Sequence, residues 1–182
     1  MTTTHAAVST WTIDPAHSIA EFAVRHMMVS TVKGRFRSLE GAITLDEDHP
    51  ERSSVVATID VASVDTAEPD RDAHLRSDDF FNAERYPKMT FRSTRVERID
   101  GEQWKVYGDL TIRDVTKGVV LDTGFEGRVK DPWDNERVGF SATTELNRKE
   151  FGLRWNQVLE TGGVVVGDRV KVDLHIEAVR QG

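Results

Sequence analysis

The sequence predicts an all-β fold: an eight-stranded antiparallel up-and-down barrel with one short helical segment at about residues 70–82. Three observations predict it. Apolar and polar residues alternate with period two through almost everything after Trp11. Turn signals, not helical spacers, separate consecutive runs. The runs are roughly 9 to 12 residues long, which suits a barrel better than a sandwich.

Residues 1–10 read as a flexible tail and residues 11–182 as one domain. Trp11 to Asp14 opens a strand that breaks at Pro15. Ala20, Phe22, Val24 and His26 then share one inward parity. In the next run Phe36 lies on one parity and Leu39, Ile43 and Leu45 on the other, which predicts a bulge near Ser38. Val55, Ala57 and Ile59 form the next inward row. After a long connection come Met89 and Phe91, then an Asp100-Gly101 hairpin signal. Four more rows follow: Trp104 to Ile112, Val119 to Phe125, Val138 to Leu146 and Val170 to Ala178. Asn147 to Gly163 is irregular, with a short helical piece around Arg148 to Phe151. Small inward residues such as Ala20, Ala57, Gly108, Thr123, Ala142 and Thr144 favour an unfilled interior.

The interruption from Thr66 to Phe91 is long for a connection in a compact domain, and such segments are usually lids or plugs. Arg71, Asp72, His74 and Leu75 read as a short helix capped by Asp70. Arg71 and His74 share a face at i, i+3. The structural reading pairs Arg71 with a carboxylate that braces the plug. The functional one offers Arg71 and His74 to a polar headgroup. Phe80 and Phe81 are expected to face the interior.

Composition narrows function. The chain has 24 basic and 31 acidic residues, a formal charge of −7, and no dense basic run, so nucleic acid is not an expected partner. The absence of cysteine excludes thiolate metal sites and cysteine catalysis. No apolar run approaches the ~18 residues of a membrane span, and the first residues lack a secretory pattern. The expected location is therefore cytoplasmic. There is no GxSxG, no HExxH and no phosphate-binding glycine loop, so no enzymatic activity is expected. Among the six histidines, His17, His26 and His74 are the candidates for a metal or catalytic role, although no pair has zinc-ligand spacing.

Several segments in order carry a resemblance. They are Asp14-Pro15-Ala16-His17-Ser18, Phe22-Ala23-Val24-Arg25-His26, and Ser30 to Phe36. Arg71-Asp72-Ala73-His74-Leu75 follows, with Phe80-Phe81 and Tyr86-Pro87, then Gly108 to Ile112, Val115-Thr116-Lys117 and Asn147 to Gly152. Spanning about Trp11 to Val179, the set resembles the YceI family of lipocalin-like polyisoprenoid-binding proteins. The resemblance implies an elongated apolar cavity for an isoprenoid, isoprenoid quinone, lipid or fatty-acid-like ligand, no other cofactor, and often a homodimer. Many relatives carry an export signal that is not seen here.

On that reading the cavity lining is Phe22, Val24, His26, Phe36, Phe80, Phe81, Met89, Phe91, Leu110, Phe125 and Phe140. The polar end is His17, Arg71 and His74. Two alternatives remain open: a fully packed barrel acting as an interaction module, and a histidine-based metal protein.

Overall fold

The computed structural model describes residues 7–182, and its frame is an all-antiparallel, closed eight-stranded barrel. The first three strands of the ring are each broken in two. β1 (Val8–Ile13) continues as β2 (Ile19–His26), β3 (Ser30–Phe36) as β4 (Leu39–Asp46), and β5 (Ser54–Asp60) as β6 (Val64–Asp65). The remaining five are continuous: β7 (Lys88–Asp100), β8 (Gln103–Ile112), β9 (Val115–Lys130), β10 (Glu136–Asn147) and β11 (Val166–Arg180). Each strand pairs with its sequence neighbour, and β11 closes the ring on β1 (Trp11 opposite Arg180) and on β2 (Leu174 opposite Ala20).

The breaks follow from local chemistry. Pro15 cannot donate to a ladder, and the Asp14 carboxylate accepts the Ala16 N–H at 3.0 Å, nucleating a single 3₁₀ turn over Pro15–His17. Ser38 falls in the expected parity switch between β3 and β4, and Asp60 caps a second 3₁₀ turn (Val61–Ser63) between β5 and β6. Further register shifts at Ser93/Arg95 and Gly139/Phe140 bend the wall where the barrel curves.

Among the described residues there is one α-helix, α1 (Pro69–Arg76), shorter than the segment expected at 70–82. Its N-cap is Glu68, not Asp70: the Glu68 carboxylate accepts the Asp70 N–H, and Pro69 occupies the first helical position. Asp70 and Asp72 lie in the first turn and His74 and Arg76 in the last, as the helix dipole favours. Ser77 ends the helix, and tight turns carry the chain through Phe80 and Phe81 to β7.

β1 opens at Val8, so residues 8–10 belong to the barrel and not to the expected tail; Trp11 Nε1 donates to the buried Ser9 hydroxyl at 2.8 Å. Residues 1–6 of that expectation lie outside the described residues. Two packed clusters occupy the barrel. Phe36, Val61, Val64, Phe80, Met89, Ile112, Phe151 and Leu153 pack beneath α1. Trp11, Ile13, Ile43, Val138 and Ala178 pack towards the other end, where the Arg128 guanidinium stacks 5.2 Å above the Trp11 ring and pairs with Glu47 and Glu136.

Candidate functional site

Alternation along every strand sends one row of side chains inward, and these rows do not fill the barrel. They line an overwhelmingly apolar cavity of about 960 Å³. That volume is at the upper end of the ~300–1,000 Å³ typical of small-molecule sites. Its wall includes Phe22, Val24, His26, Phe36, Met89, Phe91, Leu110, Phe125 and Phe140, together with Phe80 and Phe81 from the cap. Arg71 and His74 also reach it from α1.

The open volume does not come from glycine. A Cβ at Gly108 would run into the Phe91 ring, and one at Gly34 into the Phe22 ring and the Thr66 methyl. Two wall aromatics thus occupy the space beside glycines on the neighbouring strand, which corrects the expectation that Gly108 leaves space.

His17 is not part of this site. The turn at Pro15 swings it to the outer surface, where its side chain is 61% exposed and Nδ1 lies 2.8 Å from Asp14 Oδ2. Glu177 Oε2 is 3.7 Å away, so Asp14, His17 and Glu177 converge. Arg137 already engages this group, 2.9 Å from Asp14 and 3.6 Å from Glu177, while its Nε holds Asp131 at 2.7 Å. Hydrogen bonds from His17 and then Arg137 hold the Asp14 carboxyl down at about 2. Among the described residues no cluster of metal-binding type unites His17, His26 and His74.

The cap is tied down differently from the expectation. Arg71 pairs with no carboxylate among the described residues; its Nε donates to the Thr66 hydroxyl and Nη2 to the Thr66 carbonyl, both at 2.8 Å. The buried Asp72 carboxylate accepts the Thr66 N–H at 2.8 Å and its hydroxyl as well. The brace to the wall is Arg113, from the β8–β9 turn. Its Nη1 donates to the carbonyls of Asp78 and Phe80 at 3.1 Å each, and Nη2 reaches Asp78 Oδ1 at 3.0 Å. Phe80 is buried, and Phe81 stands edge-on to Phe36 with centroids 5.6 Å apart.

A second covering segment escaped the sequence reading. The connection from β10 to β11 begins with the 3₁₀ turn Arg148–Phe151, as expected, and then wraps around the Arg148 side chain. Arg148 is buried and donates Nε to Gly167 O at 2.7 Å, Nη1 to Leu153 O at 2.7 Å and Trp155 O at 2.9 Å, and Nη2 to Val166 O at 3.2 Å. Burial lowers its pKa below the ordinary arginine value, opposed by Asp168. Trp155 is thereby set into the cavity wall beside His74 and Phe80. Only the Arg148-Lys149-Glu150-Phe151 pattern hinted at order here, because the bonds that shape the loop come from one side chain to distant backbone.

Four matches place this barrel among known proteins. The family model described as "YceI-like domain" matches residues 11–178. A UPF0312 protein of Staphylococcus aureus is 39% identical over 171 residues, covering 93% of this chain and 97% of that protein. The crystal structure of Burkholderia cenocepacia BcnA superposes with a TM-score of 0.80 at 23% identity, covering 91% of this chain and 98% of that one. A polyisoprenoid binding domain from Saccharophagus degradans gives a TM-score of 0.68 at 16% identity, over 97% and 100% of the two chains.

Proposed function

Since the chain belongs to the YceI-like domain family, we propose that it is a non-enzymatic binder of a long-chain apolar or amphiphilic molecule, held inside the barrel. An isoprenoid, an isoprenoid quinone or a lipid chain is the class that fits. The observation that carries this is the apolar cavity of about 960 Å³ running between the two packed clusters. A fully packed interaction module would have no such volume.

The energetics need no directed chemistry. Each buried methylene contributes about 0.8 kcal/mol, so a dozen yield roughly 10 kcal/mol before the cost of association. Polar groups then set orientation. Arg71 serves that role: it lines the wall, is held by Thr66, and has no carboxylate partner among the described residues. It would receive a carbonyl, carboxylate or phosphate headgroup, with His74 beside it. The name of the Saccharophagus degradans domain, polyisoprenoid binding, supports the same class.

Native mass spectrometry of freshly purified protein, before and after organic extraction, tests the reading. A long-chain adduct that extraction removes, and that added isoprenoid quinone replaces, is the expected result. If no adduct is found and neither quinones nor lipids bind the extracted protein, the reading is wrong.

A further inference from the structure

Two neighbouring turns beside the helix end of the cavity expose apolar side chains. The first is the β2–β3 turn, with Met27 43%, Met28 61% and Val29 80% exposed. The second is a small hairpin in the β10–β11 connection. It is closed by a bridge between Val158 and Val164 and by the Leu159 N–H to Gly163 carbonyl bond at 3.1 Å, and Val158 is 77% exposed. The tips are joined. The Met27 N–H donates to Val165 O at 2.7 Å, and Met28 Sδ fills the space a side chain at Gly163 would need.

The first turn is built against local preference. Val29 N–H closes it on His26 O at 3.1 Å, and its two central residues, Met27 and Met28, have φ of 51° and 62°. Asn and Gly are the residues that take this left-handed conformation readily in hairpins. Two methionines here put flexible apolar side chains at the tip at a cost in local stability.

Charge indicates the partner. In a chain of net charge −7, residues 25–33 and 154–165 carry Arg25, Lys33 and Arg154 against Glu160 alone. Asp168, the next carboxylate along the chain, is engaged by Lys149 at 3.2 Å. Arg25 braces the turn, donating to Met28 O at 2.9 Å and to the Thr31 hydroxyl. The same two segments supply cavity wall: Arg25 and His26 from one, Trp155 and Val165 from the other. Protein partners are usually gripped by Trp, Tyr or Arg in sheltered pockets. Exposed Met and Val flanked by cations match the interfacial region of a lipid surface.

We propose that the paired tips, Met27-Met28-Val29 and Val158, dock the protein onto an anionic phospholipid bilayer and bring the end of the cavity to the membrane. The docking does not depend on which molecule the cavity holds.

Flotation of the full chain, stripped of ligand, with phosphatidylcholine vesicles with and without phosphatidylglycerol tests it. Wild type is expected to float with the anionic vesicles and to be released by high salt. The M27N/M28G variant matches the turn, so its melting temperature should rise while vesicle binding falls about tenfold. The V29S/V158S variant should lose binding to a similar extent with its melting temperature unchanged. Absence of wild-type binding to anionic vesicles, or binding by both variants as strong as that of wild type, overturns the proposal. So does a change from dimer to monomer in the variants with vesicle binding unaltered, which would make the tips a self-association surface.

Discussion

His74 stands edge-on to Trp155, with ring centroids 4.7 Å apart and planes at 84°. Phe80 completes the group, 5.0 Å from His74 and 5.6 Å from Trp155. Three segments, the helix, the turns after it and the β10–β11 connection, meet at this aromatic contact. The His74 Nε2 is fixed by Asp79 at 2.8 Å. The covers over the helix end of the barrel therefore hold one another.

Phe80→Ala is expected to loosen retention of a bound chain more than Arg71→Ala does. The phenylalanine is buried in both cap and wall, and its removal costs about 3–5 kcal/mol locally. Arg71→Ala removes bonds to Thr66 only, and should alter headgroup preference. Dissociation rates of a fluorescent long-chain probe from the two variants check this. Equal rates for Phe80→Ala and wild type would count against a cap.

Arg148→Met should melt the covering connection. The carbonyls of Leu153, Trp155 and Gly167 would lose the arginine's bonds, while Val166 O keeps the Asn156 side-chain amide at 2.8 Å, a loss of about 3 kcal/mol or more. For a chain of this length that lowers the melting temperature by roughly 6–12 °C. Limited proteolysis should then cut between residues 152 and 165 in the variant first. An uncut loop in a folded variant would show that Trp155 and Asn156 hold the segment without the arginine.

Much of this architecture was legible in the sequence, and the exceptions share a cause. Period-two rows placed Phe22, Val24, Phe36, Leu110, Phe125 and Phe140 inward because a strand's pleat leaves no other choice once one face is buried. The parity switch at Ser38 marked a real break for the same reason. His17 was misplaced because its direction depends on a three-residue turn capped by Asp14, which overrides the strand parity before and after it. Arg113, Arg148 and Trp155 were invisible because their roles rest on contacts between segments far apart in the chain, and Arg113 acts on Asp78 and Phe80 across the barrel end. Periodicity reads local geometry; it does not read which distant carbonyl a guanidinium will meet.

Acid should destabilise the fold in a defined window. The Asp14 carboxyl titrates at about 2 in the folded chain against 3.8 ordinarily, because His17 and Arg137 donate to its charged form. Its stabilising contribution is complete above about pH 4 and is lost as pH falls through 2. Asp131, held low chiefly by Arg137, and Glu136, held low chiefly by Arg180, shift in the same direction and steepen the decline. Asp14→Asn should lower stability at neutral pH and flatten part of this acid slope. Denaturant titrations from pH 2 to 7 measure both effects. An unchanged slope would mean that Asp14 is no better stabilised folded than unfolded.

Gly108→Ala tests the geometry of the cavity wall itself. A methyl group there would overlap the Phe91 ring and stand 2.6 Å from the Arg92 carbonyl oxygen. The ring can swing away, but only into the cavity; the carbonyl belongs to a paired strand and yields little. The variant is therefore expected to lose about 1–3 kcal/mol of stability, as overpacked cores do, and to hold a smaller ligand. Phe91→Ala on the same background relieves the ring but not the carbonyl. The double variant should be more stable than the sum of the two single losses predicts, by about 0.5 kcal/mol or more. Strict additivity would show that the Arg92 backbone, not the Phe91 ring, is what demands glycine at this position.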